Sequence, residues 1–202
     1  MKQREPIVFI VDDDVSVREA LASLLETTGL HAKSFGSAEE FLRYPRPNQP
    51  ACLLLDVRMP GASGLELQRE LTATERPLPI IFMTEYGDVP TAVGAMKAGA
   101  VEFLPKPFRE SELLEAVRRA LEQDRVAGRQ RAERVVLRAR LEQLTLRERE
   151  VMVKLVQGRL NKQIAADLGI SEITVKVHRH RIMEKMQASN FAELVRMVER
   201  LS

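Results

Sequence analysis

Five side chains with chemical potential stand just past four short apolar runs of this 202-residue sequence: Asp12 and Asp13, Asp56, Thr84 and Lys106. Carboxylates brought close together repel, which raises the cost of keeping them all ionised. A hard divalent cation bound through oxygen offsets that repulsion. Mg2+ suits such a set, with Mn2+ able to substitute. The hydroxyl of Thr84 and the ammonium of Lys106 add a hydrogen-bond donor and a positive charge. Taken alone, an Asp-Asp pair after a strand is more often a solvated turn or a helix N-cap. All five residues together are far more specific than the pair.

The elements that must position them follow from apolar patterning. Short apolar runs alternate with helix-periodic segments through the first half, the pattern of a parallel sheet covered by helices on both faces. The expected strands are Ile7–Val11, Ala32–Phe35, Cys52–Leu55, Ile80–Met83 and Glu102–Leu104. Helices are expected over Val15–Thr28, Ala38–Tyr44, Gly64–Thr74, Val89–Ala98 and from Ser111 onward. Gly29 stops the first helix and the Pro45–Pro50 segment the second. Ligands of open parallel sheets bind beyond the carboxyl ends of the strands. With strand order 2-1-3-4-5 the first and third strands are neighbours, so Asp12, Asp13 and Asp56 converge, while Thr84 and Lys106 reach the same sheet edge.

The segments Val11-Asp12-Asp13-Asp14, Leu55-Asp56-Val57-Arg58-Met59-Pro60, Met83-Thr84 and Pro105-Lys106-Pro107-Phe108 resemble the receiver domain of bacterial two-component response regulators. The resemblance implies a flavodoxin-like (βα)5 fold over residues 1–120, with Asp56 as phosphoacceptor. It implies that Asp12, Asp13, Asp56 and the backbone carbonyl of Arg58 hold the metal, which neutralises like charges while a carboxylate attacks phosphorus. Lys106 would pair with a phosphoryl oxygen and the Thr84 hydroxyl would donate to another. Movement of Thr84 would let Phe103 rotate as a switch; simple core packing of Phe103 is compatible with that role. The Lys106–Pro107 peptide bond is expected to be cis. Glu85 and Tyr86 depart from the small or modest residues many relatives carry after the threonine. If Glu85 faces the site it repels water or phosphoryl donors and alters the lifetime of an acyl phosphate; if it faces solvent it does neither.

From Glu110 to Leu144 the sequence is rich in strong helix formers, and a long helix is expected, its residues 121–142 forming a linker weakened near Gly128. Charge divides at the same region. Residues 1–124 hold 14 basic and 20 acidic side chains, whereas 125–202 hold 17 and 9. An acidic first half suits a cation and a basic second half a polyanion such as DNA.

Residues 143–202 carry helical patterns with no strand signal. Thr145 and Glu148 read as a capping box, opening a helix with Val151, Met152, Leu155 and Val156 on one face. A helix with Ile164, Ala165 and Leu168 follows Asn161, Gly169 permits a tight turn, and a further helix starts after Ser171 and reaches about Met186. On that helix Ile173, Val177 and Ile182 are expected to pack inward. A last helix, about Asn190–Leu201, carries Phe191, Leu194, Val195, Val198 and Leu201 on one stripe. The segments Leu144–Val151, Asn161–Ala165 and Ile173–His178 resemble the LuxR-type helix-turn-helix, and the whole chain resembles FixJ/NarL-like response regulators. That resemblance implies that Lys176, Val177 and His180 face base edges, while Asn161, Lys162, Thr174, His178 and Arg179 hold phosphates. His180 stands where relatives often carry lysine, and a neutral imidazole lacks that charge. His178 and His180, at i and i+2, point to different helix faces and make a poor metal pair.

The function expected is a phosphorylation-dependent transcriptional regulator served by a sensor histidine kinase, binding double-stranded promoter DNA as a homodimer on activation and working with RNA polymerase. An enzyme hydrolysing phosphate esters as its end purpose would need a substrate-recognition insertion, and the βα loops are short. A constitutive DNA binder with a vestigial receiver is opposed by the intact set Asp12, Asp13, Asp56, Thr84 and Lys106. No apolar run approaches the ~20 residues of a membrane span and no signal-peptide core opens the chain, so no membrane contact and a cytoplasmic location are expected. The lone Cys52 reads as a small buried hydrophobe.

Overall fold

The computed structural model describes residues 5–61, 63–85 and 89–201. The chain divides into two compact units, Met1–Gly128 and Arg129–Ser202. The division falls inside the stretch expected to link two domains.

The first unit is a five-stranded parallel sheet flanked by helices. Its strands are β1 (Ile7–Val11), β2 (His31–Phe35), β3 (Ala51–Asp56), β4 (Ile80–Thr84) and β5 (Glu102–Pro105), and they lie in the order β2-β1-β3-β4-β5. Between them run α1 (Val15–Thr27), α2 (Ala38–Arg43), α3 (Gly64–Thr72) and α4 (Val89–Lys97). The central strands are buried on both faces, and alternation sorts their side chains into two cores. Ile7, Phe9, Val11, Leu53, Leu55 and Phe82 join one cluster; Val8, Ile10, Cys52, Leu54, Ile81 and Met83 join the other. Each fully buried Leu, Ile or Phe contributes ~1.5–3 kcal/mol. Cys52 is wholly enclosed, and burial, with nearby Asp124 adding to it, pushes its thiol far above the ordinary range.

A single helix, α5 (Glu110–Glu142), spans the linker stretch, and its helical backbone continues through Gly128. In the first unit Leu113, Ala116, Val117, Ala120 and Leu121 of α5 pack on the second core. The buried Asp124 comes next. Its carboxylate accepts the Ala51 N–H at 2.9 Å and lies 3.7 Å from the Arg76 guanidinium, which also donates to the carbonyls of Pro47 and Gln49. Asp124 thus ties α5 to the base of β3, at the sheet end opposite the expected site.

The second unit holds the remainder of α5 with α6 (Leu146–Val156), α7 (Asn161–Leu168), α8 (Glu172–Met186) and α9 (Phe191–Glu199). Its core is built from Leu144, Val151, Met152, Leu155, Ile164, Ala165, Val175, Ile182, Met186 and Leu194. Gly169, at φ 65°, makes the left-handed turn between α7 and α8 that its type allows at least cost. Val175 takes the inward place expected of Ile173 and Val177, and both of those are exposed. Spacing alone could not separate the two apolar rows of α8.

Asp124→Ala should leave a buried N–H and the Arg76 guanidinium without their carboxylate and lower the stability of the first unit by about 3 kcal/mol. Urea unfolding of the full chain, with hydrogen exchange at Ala51 as the local readout, measures it.

Candidate functional site

Register brings the expected residues to one edge. Val11 pairs with Leu55, Asp56 with Met83, and Thr84 with Pro105, so the residues at the ends of β1, β3, β4 and β5 stand side by side. Asp12, Asp13, Asp14, Val17, Asp56, Arg58, Thr84, Glu85 and Lys106 line a cleft of about 300 Å³. Asp12, Asp56 and Thr84 are buried, while Asp13, Arg58 and Glu85 lie on the exposed rim.

One ammonium binds the two buried carboxylates. Lys106 Nζ lies 2.8 Å from Asp12 Oδ2 and 3.3 Å from Asp56 Oδ1. The other oxygens are held by backbone: Asp14 N donates to Asp12 Oδ1 at 3.0 Å and Arg58 N to Asp56 Oδ2 at 2.9 Å. Burial raises the pKa of the Asp56 carboxyl; Lys106 and the Arg58 N–H oppose this, Asp12 reinforces it, and the net direction is upward. Burial works against the Lys106 ammonium, yet its hydrogen bond and attraction to Asp12, with Asp56 adding to them, hold its pKa above the ordinary value. The Lys106–Pro107 bond is cis, as expected. Phe103 is half-buried with its ring centroid 6.2 Å from that of Phe82.

Three further residues support the site; Asp14 stands within the motif that ends β1, whereas Arg18 and Gly64 carried no sequence signal of their own. Arg18 on α1 donates to the Asp12 carbonyl at 2.6 Å, fixing the chain where β1 ends. Asp14 caps α1 by accepting from Ser16 N and Val17 N. Gly64 opens α3 so close to Asp56 that a Cβ there would meet the Asp56 carbonyl oxygen at 2.3 Å. Only glycine lets α3 begin at that point.

Among the described residues no three His, Cys, Asp or Glu side chains are gathered as a ligand set for a metal. The chemistry of the lining nevertheless fits a hard cation: Asp12, Asp13 and Asp56 offer carboxylate oxygen in one cleft, with no sulfur or imidazole beside them. Glu85 lines the cleft, and its carboxylate has no hydrogen-bond or ion-pair partner among the described residues. Tyr86 lies outside the described residues.

Comparison with known families decides what this architecture is. Residues 8–118 match the family described as the response regulator receiver domain, and residues 142–198 match bacterial regulatory proteins of the luxR family. The chain is a response regulator. It is 50% identical over 197 residues to nodulation protein W of Bradyrhizobium diazoefficiens, covering 96% of this chain and 86% of that protein. It is 48% identical over 190 residues to the transcriptional regulatory protein FixJ of Azorhizobium caulinodans, covering 94% and 90% of the two chains. Among solved structures, the response regulator StyR is similar with a TM-score of 0.83 and 49% identity, over 97% of this chain and 99% of that one. Full-length FixJ from B. japonicum is similar with a TM-score of 0.56 and 40% identity, over 96% of each chain. No described helix of the response regulator is long and apolar enough to cross a membrane.

The luxR-family unit presents its expected residues in two groups. Asn161, Lys162 and Arg179 line one cleft with Arg159, Glu172 and Phe191, and the Arg179 guanidinium lies over the Phe191 ring at 5.2 Å. Lys176, Val177 and His180 are exposed, His180 lying 3.8 Å from Glu184. Thr174 is half-buried and its hydroxyl meets that of the cap residue Ser171 at 2.8 Å. His178 is half-buried, and its Nδ1 has no partner among the described residues.

The expected capping box of α6 is present and reaches further than a cap. Thr145 N donates to Glu148 Oε2 at 2.9 Å and Glu148 N to Thr145 Oγ1 at 3.2 Å, while the buried Glu148 also accepts from Lys185 of α8 at 2.6 Å. Burial pushes the Glu148 carboxyl up; the Lys185 hydrogen bond and the cap outweigh it, and the net pKa lies below the ordinary 4.5. A carboxyl with a depressed folded pKa stabilises the fold above its unfolded value and loses that contribution as pH falls through the folded one. Glu148→Gln should therefore lower stability at pH 7 by about 1–2 kcal/mol and make the unfolding of this unit less sensitive to pH below 4.5. Thermal unfolding at several pH values reads both effects.

Proposed function

We propose that this response regulator is a phosphorylation-controlled DNA-binding transcription factor whose phosphoacceptor is Asp56. The observation that carries the reading is the Lys106 ammonium set between the buried carboxylates of Asp12 and Asp56 at the strand ends, in a chain that continues into a helix-turn-helix. Residues 1–120 act as the receiver, 121–142 as the helical linker and 143–202 as the DNA-binding domain.

A sensor histidine kinase supplies the phosphoryl group. An oxygen of Asp56 forms the new P–O bond while the P–N bond of the kinase phosphohistidine breaks, and the imidazole leaves with the electron pair and takes up a proton. Asp12, Asp13, Asp56 and the backbone carbonyl of Arg58 would hold Mg2+ or Mn2+, which would neutralise charge on the carboxylates and the phosphoryl oxygens. Lys106 exchanges part of its contact with Asp56 for a phosphoryl oxygen. Thr84 donates its hydroxyl to another, and Phe103 on the neighbouring strand follows that movement inward. Phosphate shifts the population toward a form that dimerises and occupies double-stranded promoter DNA, where it works with RNA polymerase in the cytoplasm. On DNA, Lys176, Val177 and His180 face bases, while Asn161, Lys162, Thr174, His178 and Arg179 hold the phosphate backbone.

Glu85 belongs to this chemistry. Its exposed carboxylate on the rim opposes the approach of an anionic donor. Glu85→Gln should speed capture from acetyl phosphate by about threefold or more at low salt, an advantage that shrinks as salt screens the rim. Equal rates at every ionic strength would remove Glu85 from the mechanism.

The central test is sedimentation of the full chain with promoter DNA, with and without beryllofluoride, beside mass spectrometry of the phosphorylated protein. Wild type should gain a labile adduct at Asp56, dimerise and bind DNA more tightly. Asp56→Asn should do none of these, and a variant that still responded to the phosphodonor would overturn the assignment.

A further inference from the structure

Helix α8 carries apolar side chains on two opposite faces. Val175, Ile182 and Met186 are fully buried at 0% exposure and sit in the core of the second unit. Ile173 and Val177 are 74% and 44% exposed. At about 100° per residue, Ile173, Lys176, Val177 and His180 fall within about 100° of one another around the axis, on the far side from Val175 and Ile182. Two β-branched apolar side chains therefore share the outward face with a lysine and a histidine. Ser171 caps the helix through Thr174 N, which puts Ile173 in the first turn.

One exposed apolar residue is ordinary for a soluble protein. Two, four residues apart on one face of a helix that also bears Lys176, Arg179 and Arg181, suit a partner that accepts both apolar and cationic groups. The major groove of DNA is such a partner: phosphates line it, and its floor offers one apolar feature, the C5 methyl of thymine. The N-terminal residues of a recognition helix are those that reach base edges.

We propose that Ile173 and Val177 read thymine methyl groups, and that Ile173 is a specificity-determining residue for the DNA sequence this chain selects. The inference rests on the DNA-binding reading of α8 given above and adds Ile173 to it. β-Branched side chains lose little rotamer freedom on contact, so the apolar gain is kept. A cytosine amino group facing Ile173 would lose its water without gaining an acceptor, which penalises C·G at that position. The pair thus discriminates by one favourable contact and one unfavourable one.

The test uses the full chain, activated with beryllofluoride, to select duplexes from a random-sequence library; thymines of the selected site are then replaced one at a time by deoxyuridine, which removes only the methyl group. Wild type should lose affinity by about fourfold at one or two thymines per half-site, the effect of one buried methyl group. Ile173→Ala should bind the thymine and deoxyuridine duplexes equally at one of those positions, whereas Lys176→Ala should weaken both and keep the gap. Because Ile173 lies outside the core, an unchanged thermal melt will show that the variant is folded. Insensitivity of wild type to every deoxyuridine, or a full deoxyuridine penalty in Ile173→Ala, would overturn the inference while leaving DNA binding in place. Failure of wild type to select any duplex would instead overturn the DNA-binding reading itself.

Discussion

Two carboxylates buried at adjacent strand ends repel each other and have lost most of their water; in this receiver the Lys106 ammonium holds them together. Asp12 and Asp56 come from β1 and β3, neighbours in the sheet, but Lys106 comes from beyond β5, two strands away from β3. The ion pairs therefore close only when β4 and β5 have joined in register. Thr84 and Lys106 meet by the same registration, since Lys106 N donates to the Thr84 carbonyl at 2.7 Å. The site is a check on the fold as well as a product of it. In the proposed phosphoryl transfer this arrangement has to change, because Lys106 cannot serve two carboxylates and a phosphate equally.

That rearrangement has a defined surround. Arg18 on the Asp12 carbonyl, Asp14 capping α1 and the close approach of Gly64 to Asp56 fix the backbone on both sides of the cleft. At the opposite end of the sheet Asp124 is the last buried residue of α5 in the first unit, so the helix that enters the linker is anchored where it leaves the core.

Much of this was legible in the sequence, for reasons that can be named. The strands are short apolar runs with chemical residues at their ends, so both the sheet and the cleft could be placed from one pattern. Thr145 and Glu148 signalled the start of α6 because a capping box is a local device whose partners are three residues apart. Asp124 was not legible: a carboxylate in a stretch of charged helix looks solvated, and its partners, Ala51 and Arg76, are distant in sequence. Nor was Lys185 as the partner of Glu148, for the same reason. The orientation of Glu85 depended on a loop direction that no periodicity encodes.

The misreading of α8 has a different cause and says more about function. Ile173 and Val177 have the i, i+4 spacing of a buried stripe, and spacing alone assigns them an inward place. Val175, Ile182 and Met186 form a second stripe that the core takes instead. A helix that is apolar on two faces, with cations among them, is not optimised for one neighbour. Its inner face answers to the protein, which fixes the helix in place, and its outer face answers to whatever the helix is held against. Apolar side chains set among cations on the outer face suit a partner with apolar features of its own. In the proposed reading of this luxR-family unit the groove of a duplex is that partner, with Ile173, Lys176, Val177 and His180 toward the bases and the charges around them toward the backbone.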